Sequence, residues 1–301
     1  MLSEKKVREN LERLVAERKA EIQAELNTAK GEAEAIEKRG GQSSAELKTV
    51  LKEAGVDIDV LRGVEEPKEN FGEKRQQIRD RLKTLARQPL NEGPSLLVAF
   101  SASRVGGGTA HSCPAQYLTP YYTAVYNPSG KQIMGDYFAG RIDVRIDATG
   151  SGQGLFGGGV GRGCINVDRW FVFAPDVSRY YSSIVYEPFF GFYIVEAHDG
   201  FVSSKEAKAE IHTAVRGYQY YWKSKRKYSV LSVAGRNIDT DGRYDETDTF
   251  DYAEQFTAGD PAYLVVTQKI CVYARGGGSY SELNFDSGEA NYLPPPYIFV
   301  Y

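Results

Sequence analysis

The sequence predicts an α+β multidomain protein in which an N-terminal helical, coiled-coil region precedes an antiparallel β-sandwich of jelly-roll type. Residues 1–90 are strongly charged, with 37 Lys, Arg, Asp and Glu in 90 positions against 40 in the remaining 211. Residues 91–301 hold 36 of the 37 aromatic residues, and apolar and polar residues alternate there in short runs. We therefore predict a helical assembly region over 1–90 and a β-sandwich head over 91–301.

The first predicted helix spans residues 4–39, which contain no proline, no aromatic residue and a single glycine. Its apolar residues recur at close to the 3.5-residue period of a coiled-coil seam. They are Leu11, Val15, Ile22, Leu26, Ala29, Ala33 and Ile36. One such stripe cannot bury itself, so we predict that Leu11, Val15, Ile22, Leu26 and Ile36 form an interface between copies of this chain. The alternative is a helical region that packs only against its own chain.

Two shorter helices are predicted after the first. Gly40-Gly41 is expected to end the first helix, and Ser43-Ser-Ala-Glu46 has the spacing of a capping box, which starts a helix running to about Ala54. The third helix spans residues 71–88, where Ile78, Leu82 and Leu85 share one face. Pro89 ends it because proline cannot continue a helix.

After Pro94 the sequence predicts strands joined by turns, because short runs rich in Val, Ile, Tyr and Phe are separated by Gly, Pro, Asn and Asp. The predicted strands are Leu96–Ser101, Tyr121–Tyr126, Gly140–Asp147, Arg169–Phe173, Ser182–Tyr186, Phe192–Ala197, Lys208–Trp222, Tyr228–Ala234, Ala262–Ala274, Ser279–Phe285 and Tyr297–Tyr301. The glycine-rich segment 150–163 is predicted to be a loop, since it has little that can drive burial.

One acidic segment has the spacing of a calcium loop. Counted from Asn237, acidic residues occupy positions 3, 5, 9 and 12, and Gly242 occupies position 6. Over these twelve residues the segment resembles the calcium loops of EF-hand and dockerin-like proteins, which implies Ca²⁺ as a cofactor. The implied ligands are Asn237, Asp239, Asp241, Asp245 and Asp248. It departs from that pattern at its first and last ligands and has no flanking helices, and the alternative is a solvated acidic hairpin loop.

The sequence contains no motif that names a reaction. We find no GxSxG elbow, HExxH zinc motif, phosphate-binding loop or dinucleotide fingerprint, and the three histidines are scattered. We therefore assign no catalytic or cofactor-binding residues beyond the implied calcium ligands. Glu187, Glu196 and Asp199 lie near aromatic residues and leave open a glycosidase, whose carboxylate pair needs no linear motif.

Tyrosine is unusually abundant, and all 21 tyrosines follow residue 90. Tyrosine combines a large apolar face with a polar tip, which suits protein interfaces and sugar-stacking surfaces as well as sheet cores. In the segment Tyr218-Gln-Tyr-Tyr-Trp222 both faces of a strand would carry aromatic rings, although only one face can contact the core. We therefore predict that Tyr220 and Tyr221 include contact residues.

These observations favour a non-enzymatic, self-assembling structural or recognition protein with a helical stalk and a β-sandwich head. The first alternative is a carbohydrate-binding or adhesion module. Further alternatives are a membrane-acting toxin, which the Glu-rich polar face of helix 4–39 disfavours, and a glycoside hydrolase. The predicted partners are a second copy of the chain and carbohydrate. Nucleic acid is excluded because the charges are close to balance in both halves, which leaves no basic face for the phosphate backbone.

Localisation is left open by the sequence. Residues 1–10 are charged from Glu4 onward and lack the apolar stretch of a secretory signal, and no apolar run reaches the length of a transmembrane helix. Three widely spaced cysteines, Cys113, Cys164 and Cys271, are expected to be buried, reduced thiols. Together these features suggest cytoplasmic synthesis, with later release still possible.

Overall fold

The computed structural model describes residues 4–60, 71–85, 116–126, 133–136, 141–151, 159–199, 205–286 and 291–301. These ranges include two helices, α1 (Glu4–Glu53) and α2 (Phe71–Thr84). They also include twelve strands: β1 (Gln116–Leu118), β2 (Tyr122–Tyr126), β3 (Ile133–Asp136), β4 (Arg141–Thr149), β5 (Val160–Phe173), β6 (Arg179–Ala197), β7 (Glu206–Gln219), β8 (Tyr221–Arg236), β9 (Ile238–Phe256), β10 (Ala262–Arg275), β11 (Tyr280–Phe285) and β12 (Tyr297–Val300).

The strands form two antiparallel sheets. Sheet A has the order β1-β12-β6-β11-β4-β3, with β9 paired along the other edge of β6. Sheet B has the order β2-β5-β10-β7-β8. Side chains from both sheets meet in one core, which includes Ile146 and Phe189 of sheet A and Ile165, Ile211 and Ile270 of sheet B. The predicted antiparallel β-sandwich is confirmed in this form.

The register of each central strand is fixed by the alternation of buried and exposed side chains along it. In β7 the inward side chains Ala207, Ala209 and Ile211 are fully buried, whereas the outward side chains between them are charged or polar. A one-residue slip would move this whole apolar set to the outer face, so burial fixes the register. The same alternation in β10 places Ile270 and Val272 in the core.

The two helices pack on the outer faces of the two sheets. Near the start of α1, Val7, Leu11 and Leu14 form a buried cluster with Trp170 and Tyr263 of sheet B. On the opposite side of the sandwich, Leu82 of α2 packs with Phe192, Ile194 and Tyr280 of sheet A. The layers therefore run helix, sheet, sheet, helix.

The helical region differs from its prediction in two ways. α1 continues through Gly40-Gly41 to Glu53, so the predicted helix break and capping box there are wrong. Two glycines in a helix cost about 2 kcal/mol relative to alanine. Ending the helix there would require the chain to nucleate a second helix, which is also unfavourable, and the flanking residues are good helix formers. The first turns of α1 do not form a stalk that projects from the head, because Leu11 packs against sheet B of the same chain.

Some of the predicted interface residues of α1 are therefore buried within the single chain and cannot contact a second copy. Leu11 and Ile22 are 5% and 2% exposed within the single chain, and Val15 packs partly against the α1–sheet B cluster. The side chains of Leu26 and Ile36 lie outside the described residues. Homo-oligomerisation and the domain boundary near residue 90 stay predictions.

Several predicted strands are longer or divided differently. Ser182–Tyr186 and Phe192–Ala197 belong to one strand, β6, which continues through Pro188. Proline is tolerated there because neither β11 nor β12 pairs with β6 at that residue. Lys208–Trp222 is instead two strands, because the chain turns at Tyr220, whose φ is 64°. The predicted strand Leu96–Ser101 lies outside the described residues.

The expectation of reduced thiols is wrong for two of the three cysteines. Cys164 of β5 and Cys271 of β10 are directly paired in the sheet and form a disulfide, with their Cα atoms 4.2 Å apart. Neither residue is fully buried, since both lie on the outer face of sheet B. Residues 160–163, predicted to be loop, form the start of β5 and lead into this pair.

We expect removal of this disulfide to destabilise the protein. It closes a loop with a sequence separation of 107 residues, and the chain-entropy model gives about 5 kcal/mol for a loop of that size. Chemical denaturation with and without reductant measures the difference, and thiol titration of the unfolded protein should gain two thiols on reduction. The Cys164→Ser/Cys271→Ser double variant should be as unstable as the reduced parent and insensitive to reductant. A parent protein that ignores reductant would contradict the pairing.

Candidate functional site

The outer face of sheet A is divided into two parts. Helix α2 covers the part formed by the C-terminal half of β6, β11 and the start of β9. The part formed by β1, β12, the N-terminal half of β6 and the end of β9 carries exposed aromatic and polar side chains. In the first part, ion pairs attach α2 to the sheet. The second part is the candidate binding surface.

Under α2, two carboxylates of sheet A are fully buried and paired with arginines. The Arg75 Nε donates to Glu196 Oε2 at 2.6 Å, and the Arg79 Nε donates to Glu282 Oε2 at 2.8 Å. The Tyr280 hydroxyl donates to the same Glu282 oxygen at 2.6 Å, and the Arg75 guanidinium lies 4.1 Å from the centroid of the Tyr280 ring. An unpaired buried carboxylate is costly, so these contacts fix α2 to the sheet.

The acidic segment predicted as a calcium loop is the first part of strand β9, so the predicted loop conformation is wrong. Asp239 and Asp241 point to the outer face, where Asp239 pairs with Lys74 at 2.8 Å and Asp241 with Arg81 at 2.5 Å. Because strand side chains alternate between faces, the carboxylates are spread along β9 instead of converging on one point.

The remaining implied ligands are also separated. Asn237 forms the turn between β8 and β9, with a φ of 47°, and Asp245 pairs with Arg243. Asp248 points inward and accepts a hydrogen bond from the Tyr244 hydroxyl at 2.6 Å. Among the described residues no group of three or more His, Cys, Asp or Glu is arranged to hold a metal ion. Calcium binding stays an untested prediction of the sequence.

The carboxylates considered for a glycosidase do not form a pair. Glu187 and Glu196 lie on opposite faces of β6: Glu187 is in the core between the sheets, and Glu196 is under α2. The Asp199 carboxylate accepts a hydrogen bond from the Lys205 backbone N–H at 2.7 Å. Glu187 instead accepts a hydrogen bond from the Thr213 hydroxyl and lies near the buried Arg169.

The position of Glu187 predicts a pH dependence of stability. Burial raises the pKa of the Glu187 carboxyl to about 7, from 4.5, while Thr213 and Arg169 oppose the shift. Between these two values the folded protein holds a proton that the unfolded chain has released. The free energy of unfolding should therefore fall as the pH rises from 4.5 to 7, by about 3 kcal/mol from this group.

The measurement is urea denaturation at several pH values on the parent and on Glu187→Gln, which cannot titrate. The difference between the two free energies of unfolding isolates the contribution of Glu187, because all other groups are shared. If the free energies of unfolding of the parent and of Glu187→Gln change in parallel across this pH range, the raised pKa of Glu187 is contradicted.

Four aromatic rings form a continuous platform on the uncovered part of sheet A. Tyr186 and Tyr297 stack with centroids 4.9 Å apart and an interplanar angle of 6°. Tyr117 lies 6.0 Å from Tyr297 and 5.3 Å from Phe299, measured between ring centroids. We call these four residues the aromatic platform. It spans β1, β12 and β6, because Tyr117 is paired with Phe299 and Tyr297 with Tyr186 in the sheet register.

Exposed polar side chains flank the aromatic platform. Thr249 and Asp251 of β9 are exposed on the same outer face, next to Tyr186 and Ile184 of β6 in the sheet register. Tyr117 is 50% exposed, so ring surface is open to solvent at the edge of the sheet. The site therefore offers apolar ring faces beside hydroxyl and carboxylate groups, which suits a ligand that has both apolar and hydroxylated faces.

Sequence reasoning missed this platform as a unit. In the sequence Tyr117, Tyr186 and Tyr297 are three of 21 tyrosines, and no spacing links them to one another or to Phe299. The rings come from three strands distant in sequence, and only the pairing register brings them together.

The predicted contact tyrosines lie elsewhere, in the turn between β7 and β8. Tyr220 and Tyr221 are 57% and 63% exposed. The Tyr220 hydroxyl donates to Asp260 Oδ2 at 2.8 Å, and the Lys223 ammonium lies 3.9 Å from the centroid of the Tyr221 ring. Their role in contacts with another molecule stays a prediction.

No protein-family model and no curated protein matches the sequence. Among solved structures, the chain is similar to a family 61 carbohydrate-binding module in complex with β-1,4-galactotriose, at 9% identity and a TM-score of 0.23 over 60% of this chain and 90% of that one. It is also similar to an isomalto-dextranase of Arthrobacter globiformis T6 complexed with panose, at 10% identity and a TM-score of 0.17 over 58% and 23% of the two chains. A family 4 carbohydrate-binding module matches at 8% identity and a TM-score of 0.12 over 46% and 71%. TM-scores this low carry no weight for fold or function.

Proposed function

We propose that this chain is a carbohydrate-binding protein and that the aromatic platform is its binding surface. The observation that supports this proposal is the set of contacting rings on the outer face of sheet A, in which Tyr117 is 50% exposed, Tyr186 and Tyr297 are half-buried and stacked, and Phe299 is buried against all three. Soluble proteins seldom leave a contiguous aromatic surface in water without a partner for it. Saccharide rings present apolar C–H faces that stack on aromatic rings and hydroxyl edges that form hydrogen bonds.

The chemistry of the surroundings fits a neutral saccharide. Thr249 supplies a hydroxyl that both donates and accepts, and the Asp251 carboxylate accepts hydrogen bonds from sugar hydroxyls. Among the described residues no strand pairs with the outer edge of β1, and Tyr117 of this strand is 50% exposed, so a saccharide stacked on its ring can extend past the described sheet. The Tyr297 hydroxyl is a neutral hydrogen-bond donor at neutral pH, and burial raises its pKa further.

The alternatives from the sequence have less structural support. For a membrane-acting toxin, we note that no helix in the described ranges is long and apolar enough to cross a bilayer. For a glycoside hydrolase, Glu187 and Glu196 are separated by the sheet itself. The self-assembling protein remains a prediction, because part of the stripe on α1 packs against the same chain.

Removal of platform rings should weaken saccharide binding. We expect Tyr117→Ala and Tyr297→Ala each to lower the affinity at least tenfold, about 1.4 kcal/mol, because each loses a stacking surface. Tyr297→Phe should retain most of the affinity, since the ring remains. A glycan array identifies the saccharide, and isothermal titration calorimetry then compares the variants.

Tyr180→Ala is the matched control. Tyr180 is 69% exposed on the same strand and face as Tyr186 but is outside the platform, so this variant should bind like the parent. A parent protein that binds no neutral glycan on the array, or equal losses in Tyr117→Ala and Tyr180→Ala, would overturn the proposal.

A further inference from the structure

A second surface site lies on the opposite side of the sandwich, between α1 and the outer face of sheet B. It is a hollow of about 270 Å³ whose floor is formed by β5, β10, β7 and β8 and whose wall is the helix. Its lining includes Asn166, Ala214, Lys225, Lys227 and Lys269. We call it the cationic hollow.

The sheet register explains why the hollow exists. Lys269 pairs with Asn166 on one side and with His212 on the other, so these three side chains share one row of the outer face. In the next row Ala214 lies between Thr267 and Lys227. Because the Ala214 side chain is only a methyl group, it leaves a depression in the outer face of the sheet between the longer lysine side chains.

The hollow carries an excess of positive charge. In the described ranges no carboxylate lies within 4 Å of the ammonium groups of Lys225, Lys227 or Lys269. The Arg18 guanidinium of the wall already pairs with Asp168 at 3.2 Å and with Glu21 at 2.7 Å. Glu25 is the one carboxylate among the described lining residues. Burial and the nearby Arg18 lower the pKa of Lys225, and the carboxylates of Glu21 and Glu25 oppose this shift only in part.

The hydrogen-bond donors of the cationic hollow limit the kinds of ligand that it can bind. Each ammonium offers three N–H donors as a compact charge, and the Asn166 amide, 4% exposed, adds donors from the floor. A tetrahedral oxyanion presents three terminal oxygens in different directions, so separate lysines can each reach one. A planar carboxylate has two oxygens and fits the forked geometry of arginine better.

We infer that the cationic hollow binds the terminal sulfate or phosphate group of a small molecule, or the free ion. The volume equals roughly nine water molecules, which leaves room for part of the carrier besides the anionic group. This inference is independent of the proposed carbohydrate binding, because the aromatic platform lies on the other sheet.

Isothermal titration calorimetry on the full chain tests the inference with inorganic phosphate, inorganic sulfate and glucose 6-phosphate, and with glucuronate and glucose as comparators. We expect saturable binding of at least one phosphate or sulfate probe and at least tenfold weaker binding of glucuronate. Any binding of glucose belongs to the aromatic platform and should be unchanged in Lys227→Gln and Lys269→Gln. Equal affinity for phosphate and glucose 6-phosphate assigns the hollow to the free ion. Tighter binding of the ester assigns it to a phosphorylated or sulfated small molecule.

Lys227→Gln and Lys269→Gln should each weaken binding at least tenfold without changing the melting temperature. Lys83→Gln is the matched control: it removes the same charge from an exposed lysine of α2, across the sandwich. Absence of saturable binding to every phosphate and sulfate probe overturns the inference. So does an equal loss in all three variants, since that would be an effect of net charge. Loss of neutral glycan binding in platform variants leaves this readout unchanged, so the two proposals fail separately.

Discussion

Buried pairs between arginine and carboxylate connect the helices to the sheets, and the arrangement of the outer faces depends on them. Asp168 of sheet B is fully buried beneath Arg18 of α1, and its other oxygen accepts a hydrogen bond from Thr267 at 2.6 Å. Glu196 and Glu282 of sheet A are buried beneath α2 in the same way. Removing one partner of such a pair leaves an uncompensated buried charge, which typically costs 3–5 kcal/mol.

These pairs also decide which surfaces stay open. On sheet A the two fully buried carboxylates of the outer face, Glu196 and Glu282, pair with arginines of α2, and the aromatic platform lies on the other part of that face. On sheet B, Arg18 is neutralised by Asp168 and Glu21, whereas the lysines farther across the sheet have no such partner within 4 Å in the described part of the chain. Each outer face therefore has one part closed by a helix and one part that is chemically available.

The sequence predicted the elements whose burial follows a simple period. The alternation in β10 and the Ile78 and Leu82 face of α2 were enough to place those elements correctly. Strand β9 was missed, because its outer face is acidic and its segment begins with turn-forming residues. It is a strand because α2 supplies Lys74 and Arg81 to that face, which is tertiary information.

The candidate sites could be predicted only in part for the same reason. Aromatic enrichment identified a kind of surface, but the aromatic platform and the cationic hollow each combine residues from several strands. Their composition depends on register, and one residue of slip would place Tyr186 or Lys269 in the core. The cysteine pairing has the same origin, because Cys164 and Cys271 meet only when β5 and β10 align.

That cross-strand disulfide has a consequence for proteolysis. Strands β6 to β9 all lie between Cys164 and Cys271 in the chain, and so do the exposed turns at Tyr220 and Asn237. A protease that nicks either turn leaves both fragments covalently joined through the centre of sheet B. A cut before Cys164 or after Cys271 instead releases a free terminal piece. Non-reducing and reducing gels of the same digest therefore show whether each cleavage occurred between the two cysteines or outside them.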